Sequence, residues 1–181
     1  FGAEESDLFN SLQWTIGAER VMSQGLEGTI RSLRQHMAEI RALPSRGATE
    51  EIQRESLDAL SDLDERLLRD DFWQLAADFN TGLTALEGTV SKAVAALRSS
   101  QQQQLRQAEE DFARLPEWVE LNEGEKQAAL EQLSGYSTAA ADDLAGLKLL
   151  RNQEGTLGAL IAEVRSNIVS TGQERQRSRA E

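Results

Sequence analysis

The sequence predicts an all-α protein, an elongated antiparallel helical bundle with coiled-coil-like long helices. Three observations carry this expectation. Apolar residues recur at gaps of three and four over most of the 181 residues, which is the period of one helix face. Only 2 prolines are present, so few breaks are enforced. With 3 Trp, 1 Tyr and 5 Phe and no β-branched runs, little is available from which to build a sheet.

The first helix is expected from about Glu4 to Leu43, where Leu8, Leu12, Met22, Leu26, Ile30, Leu33, Met37 and Ile40 lie close to a heptad seam. The segment Pro44-Ser45-Arg46-Gly47-Ala48 ends it, because proline disfavours a helical residue before it and glycine tolerates the turn. Thr49 is expected to cap the next helix, with Glu50 and Glu51 suiting the positive end of its dipole. The stripe resumes at Ile52, Leu57, Leu60, Leu63 and Leu67 and continues from Phe72 through Phe79, Leu86, Val90, Leu97, Leu105 and Phe112 to Leu115. One helix over that whole range would be roughly 100 Å long. Either the molecule is an elongated coiled coil, or the chain bends near Arg69-Asp70-Asp71, where the seam slips to a gap of five.

Pro116 closes this region, and Asn122-Glu123-Gly124-Glu125 reads as a capping box that opens a short helix between residues 123 and 134. Gly135-Tyr136-Ser137 makes a turn. A last long helix follows on Leu144, Leu147, Leu150, Leu157, Ile161, Val164 and Ile168, and the charged end from Gln173 to Glu181 is expected to fray. The chain thus reads as a single helical domain with segments 1–48, 49–115 and 116–181.

The formal charge is −12, and it is not evenly spread. Residues 49–71 carry 9 acids and 3 bases, residues 109–131 carry 8 and 2, and the remainder balances. Residues 19–46 hold Arg20, Arg31, Arg34, Arg41 and Arg46 against three Glu. Folding that helix back about Pro44 would set Arg41 and Arg34 near Glu51, Glu55 and Asp58. Such exposed pairs select a partner while the apolar seam supplies the stability. The 109–131 segment has no comparable basic match, which makes it the expected docking place for an external partner.

The composition excludes several chemistries. There is no cysteine, hence no disulfide, thiolate metal site or cysteine nucleophile. The single histidine, His36, cannot build a site that needs two, and its spacing to Glu39 reads as a solvated surface pair. Asp58, Asp62, Asp64 and Glu65 lack the loop glycine of a calcium site. No phosphate-cradling glycine motif is present, so no cofactor or metal is expected. Nucleic acid is not an expected partner either, since the bases are interleaved with acids. No apolar run is long enough to cross a bilayer and the N-terminus lacks a signal-peptide pattern, so a cytoplasmic location is expected. The start Phe1-Gly2-Ala3, without Met, suggests an excised part of a larger intracellular protein.

One tripeptide recurs: Glu27-Gly28-Thr29, Glu87-Gly88-Thr89 and Glu154-Gly155-Thr156. Each copy lies inside a helical stripe, where glycine costs about 1 kcal/mol relative to alanine. The expected reason is close helix packing at Gly28, Gly88 and Gly155. A second reading has the three Glu and three Thr line one polar layer that binds a ligand. Trp14, Trp73 and Trp118 sit near helix ends or the bend, where a half-buried indole keeps its N–H satisfied. Gln101 to Gln104 replaces expected seam positions with amides, read either as a solvent-exposed stretch or as a length awaiting a partner helix.

The stretch Phe112-Ala-Arg-Leu115-Pro116-Glu-Trp118-Val-Glu-Leu121-Asn122-Glu-Gly-Glu125-Lys-Gln-Ala-Ala-Leu130 resembles the helical C-terminal part of the very large P-loop ATPases of bacterial phage-defence (BREX-type) systems. The resemblance covers about 20 residues of helix grammar. It implies that ATP binding belongs to a separate upstream domain and that this segment is an assembly or coupling arm. No site residue of that family can be carried over.

The expected function is a non-catalytic helical interaction or oligomerisation segment of a larger protein, binding a protein partner or itself. The candidate interface is Trp118 with Glu109, Glu110, Glu120 and Glu123. The alternative is a helical ligand-binding or enzymatic bundle that uses the Glu-Gly-Thr layer.

Overall fold

In the computed structural model the chain is described over residues 24–54 and 72–180, together with Arg20. Trp14, the bend at Arg69–Asp71 and the acidic face at Asp58, Asp62, Asp64 and Glu65 lie outside these residues. Helix α1 covers 24–41 and α2 is described over 48–54; α3 is Phe72–Ala113, α4 Glu123–Ser134 and α5 Leu144–Ala180. A 3₁₀ turn, Pro116–Glu120, links α3 to α4. No strand occurs among the described residues, and the fold is all-α. Packing divides the chain inside α3, into a unit ending at Thr89 and a unit beginning at Val90. The division falls within one helix, so the two halves of α3 serve different cores.

In the first unit, Leu33, Met37, Ile40 and Leu43 are buried, as are Ala76, Phe79 and Leu86 of α3. The α1–α2 turn is made by Gly47, whose φ of 54° lies in the left-handed region. Its carbonyl accepts from the amides of Glu50 and Glu51. Thr49 does not cap the helix as expected. It lies within the first turn of α2, nearly buried, and its hydroxyl donates to the carbonyls of Arg46 (2.8 Å) and Pro44. An amide side chain also helps to close the hairpin. Gln53 Nε2 donates to the carbonyls of Leu43 (2.6 Å) and Ile40 (3.1 Å), tying α2 to the end of α1 and the residues just after it. Arg41 and Glu51 are both exposed, and no ion pair between these two residues closes the turn. Glu55 and Asp58 lie outside the described residues.

In the second unit, α3 ends at Ala113, slightly ahead of the Leu115 expected, and Pro116 occupies the first position of the 3₁₀ turn, where its missing N–H costs no hydrogen bond. The capping box forms as expected: Asn122 Oδ1 accepts from the Glu125 amide and the Asn122 amide donates to Glu125 Oε2, both at 2.8 Å. Asp143 caps α5 by accepting from the Gly146 amide at 2.9 Å.

Contacts along the second unit fix its directions. Arg98 reaches Ala140 and Asp142, Gln101 reaches Leu150, and Ala108 and Phe112 share a cluster with Val164 and Ile168. Both numbers rise together, so α5 runs parallel to α3. Glu125 pairs with Arg175 and Tyr136 with Gln153, so α4 is antiparallel to α5. The antiparallel relation expected of the long helices is thus supplied by α4 and the non-helical stretch 136–141, which together return the chain to the start of α5. The core at this end joins Phe112 of α3, Leu121, Ala129 and Leu133 of the α4 region, and Val164 and Ile168 of α5, with Trp118 packed against it. Each fully buried side chain of this size contributes about 1.5–3 kcal/mol.

Candidate functional site

The Glu-Gly-Thr copies do not mark close packing. Gly28, Gly88 and Gly155 are exposed, and a Cβ added at any of them would meet no atom within 4 Å. Gly28 and Gly88 each lie two residues from seam positions on either side and Gly155 two residues before Leu157, about 200° around the helix, so each faces away from the core. The threonine hydroxyls bond back to their own helices, Thr29 to Gly25 (3.1 Å), Thr89 to Ala85 (3.0 Å) and Thr156 to Gln153 (2.7 Å). Thr29 also reaches Asn80 at 3.2 Å, about two turns of α3 ahead of Glu87, so the first two copies stand at different levels. The geometry gives a ligand-binding layer no support. Replacing Gly28, Gly88 or Gly155 by Ala is expected to raise stability by about 0.5–1 kcal/mol each, since helix propensity and unfolded-state entropy act with no opposing clash. Thermal melting checks this, and a lowered melting temperature would restore the packing role.

The glycines that do permit close approach are Gly146 and Gly172. A Cβ on Gly146 would lie 1.8 Å from the Ala141 carbonyl oxygen, and one on Gly172 would lie 2.5 Å from Glu117 Cβ and 2.8 Å from its carbonyl oxygen. Gly172 thereby seats α5 on the 3₁₀ turn.

That contact brings the charged end of α5 to the acidic segment. Rather than fraying, α5 continues to Ala180. Arg175 pairs with Glu125 at 2.8 Å, and Arg179 pairs with Glu120. Residues 109–131 therefore do have a basic match, placed 50 and 59 residues along the chain where no local pattern reveals it. Of the candidate interface residues, Trp118 is half-buried against the core and Glu120 is turned to Arg179. Glu123 pairs with Lys126 at 2.8 Å while its side chain stays 91% exposed. Glu109 and Glu110 are exposed, and Arg114 lies 3.6 Å from both Glu110 and Asp111. The side chain between Trp118 and Glu120 had drawn no attention in the sequence: Val119 is 76% exposed, on a turn that is otherwise pinned.

The Asn122 amide and then the Arg175 guanidinium hold the Glu125 carboxyl below the usual carboxylate range, outweighing its partial desolvation. A depressed folded-state value stabilises the fold above the unfolded value, and this is lost as pH falls through the folded one. Glu125→Gln is therefore expected to melt below the wild type near neutral pH, with the gap closing toward acid. Asn122→Ala, which removes the other half of the box, is expected to cost about 1 kcal/mol. Melting curves over about pH 3 to 7 read both, and a gap that widens toward acid would reverse the sign assigned to Glu125.

A groove of about 180 Å³ runs between α4 and α5, with Leu121, Ala129, Val164 and Ile168 below and Glu125, Gln132, Asn167 and Thr171 at its rim. Sites that enclose small molecules are larger, about 300–1,000 Å³. Gln101 corrects the reading of its amide run as solvent-exposed. It is 1% exposed and donates to the Leu150 carbonyl at 2.9 Å, while Gln102, Gln103 and Gln104 are exposed. His36 is half-buried with Nδ1 2.7 Å from the Ser32 carbonyl oxygen. Among the described residues no group of three or more metal-ligating acids or His is found, and no helix is long and apolar enough to cross a membrane. No family model, no curated protein and no solved structure matches the chain.

Proposed function

We propose that the chain is a helical protein-interaction segment that presents Val119, on the turn between α3 and α4, to a partner. The observation that carries this is an apolar side chain held out in solvent by a fixed backbone. Trp118 anchors the turn to the core below, while Gly172 and the Arg179–Glu120 pair hold it from the side. Ordering such a residue on binding costs little because the turn is already ordered. The surrounding segment is acidic even after its internal pairs, with Glu109 and Glu123 turned to solvent. The partner chemistry that fits is an apolar anchor with basic flanks. In the phage-defence setting implied by the resemblance, the segment would serve as an assembly arm, and ATP chemistry would belong to another domain.

Selection of displayed random peptides against the 181-residue chain tests this. Enrichment of a large apolar residue flanked by Lys or Arg is expected. Binding should weaken about tenfold or more with Val119→Asp, equivalent to ~1.4 kcal/mol or more, and should fall as salt is raised from about 50 mM to about 0.5 M. Selected peptides that bind the Val119→Asp protein equally well would remove the proposal.

A further inference from the structure

The second unit carries both an apolar projection and an apolar recess. Val119 is the projection, an aliphatic side chain 76% exposed on an ordered turn. The recess is the groove between α4 and α5, floored by Leu121, Ala129, Val164 and Ile168 and lined on its α4 side by the exposed Ala128. Its volume of about 180 Å³ falls short of the usual small-molecule site. An apolar cavity of about 150 Å³ takes a benzene-sized group, so one aliphatic side chain is within its capacity. Within a single chain Val119 stays outside the groove, being exposed and no part of its lining.

Charge complements shape. Glu117 and Glu120 flank Val119 within the 3₁₀ turn. At the groove the one lining carboxylate, Glu125, is matched by Arg175 Nη2 at 2.8 Å, and the Arg175 side chain keeps 38% of its surface exposed. A guanidinium carries five N–H donors in a fork, so Arg175 has donors for a second carboxylate while it holds Glu125. We propose that the partner of this chain is a second copy of itself, with Val119 of one copy seated in the α4–α5 groove of another and an acidic neighbour of Val119 placed on Arg175. This rests on the reading of Val119 as a presented anchor and names what receives it. One aliphatic anchor and one exposed ion pair make a small interface, so the association is weak and depends on concentration.

Sedimentation of the 181-residue chain from about 5 μM to about 0.5 mM is expected to show self-association, weakened about tenfold or more by Val119→Asp. Both the residue and its replacement stand in solvent, so the variant should keep its fold. The absence of cysteine allows a direct test of the seat. Val119→Cys and Ala128→Cys proteins, mixed in equal amounts with oxidised glutathione, are expected to form the mixed disulfide in excess of its random-pairing share, because docking brings those two positions within bonding reach. A wild-type chain that stays monomeric over the whole range overturns the second copy as partner, and the peptide selection still decides separately whether Val119 is an anchor. Self-association that Val119→Asp leaves unchanged overturns the inference as well, and mixed disulfide at no more than the random share overturns the groove as the seat.

Discussion

Gly172→Ala and Gly146→Ala are expected to destabilise the protein, although alanine is the better helix former at both sites. Propensity favours the change by about 1 kcal/mol. Against it stands contact with atoms that cannot rotate away, namely the Ala141 carbonyl at 1.8 Å for Gly146, and Glu117 Cβ at 2.5 Å and carbonyl oxygen at 2.8 Å for Gly172. Forcing a methyl group into close-packed backbone costs about 1–3 kcal/mol or more, so the clash wins, by the larger margin at Gly146. The consequence at Gly172 has a local signature. Pushing α5 off the 3₁₀ turn separates Arg175 from Glu125 and Arg179 from Glu120, so amides from about residue 173 to 180 should exchange faster while those around Leu150 do not. Hydrogen exchange reads this directly. Protection unchanged over 173–180, with an unchanged melting temperature, would show that the approach of α5 to Glu117 is looser than described.

The opposite signs expected for Gly146 and Gly172 on one hand, and for Gly28, Gly88 and Gly155 on the other, show what the sequence discloses and where it misleads. A recurring tripeptide draws attention by repetition, yet helix phase decides what a glycine does. Gly28 falls midway between Leu26 and Ile30, Gly88 between Leu86 and Val90, and Gly155 two residues before Leu157, so all three were already out of phase with the core. Gly172 follows Ile168 by four and continues the series Leu157, Ile161, Val164, Ile168. It was the seam glycine, and the periodicity alone identifies it. The helices, the Gly47 turn and the Asn122–Glu125 box were legible because their causes lie within a few residues. The arginine pairs to Glu120 and Glu125 were not, because only the return of the chain through α4 and the stretch 136–141 brings residues 50 and 59 apart together. Val119 was missed for a related reason: on a 3₁₀ turn the three-four spacing that marks buried positions no longer applies.

The charge also changes meaning once packing is known. The first unit holds 17 acids and 8 bases and the second 14 and 11, so the excess of −12 resides mainly before Val90. Near the 3₁₀ turn the acids are partly neutralised from within. An external partner there meets an apolar residue with acidic surroundings rather than an open acidic face, which is why the Val119 side chain, more than net charge, should dominate affinity.

Phe112→Ala is expected to cost about 3–5 kcal/mol, the range for emptying a large aromatic from a closed core. The residue is 2% exposed, in a cluster that draws Leu121, Ala129 and Leu133 from the chain after α3 and Val164 and Ile168 from α5. Because those neighbours belong to separate elements, none can collapse into the space without moving its own helix, and the cavity term stays near its upper limit. Leu105→Ala on the same helix provides the comparison, since Leu105 is only partly buried at the edge of the cluster and removes less surface from contact; about 1 kcal/mol is expected there. Urea titration followed by far-ultraviolet circular dichroism measures both, with a lower midpoint and an unchanged slope as the mark of lost native packing. A cost for Phe112→Ala no larger than that for Leu105→Ala would mean that α3, α4 and α5 do not converge on this residue, and the seating of the 3₁₀ turn that holds Val119 in place would lose its foundation.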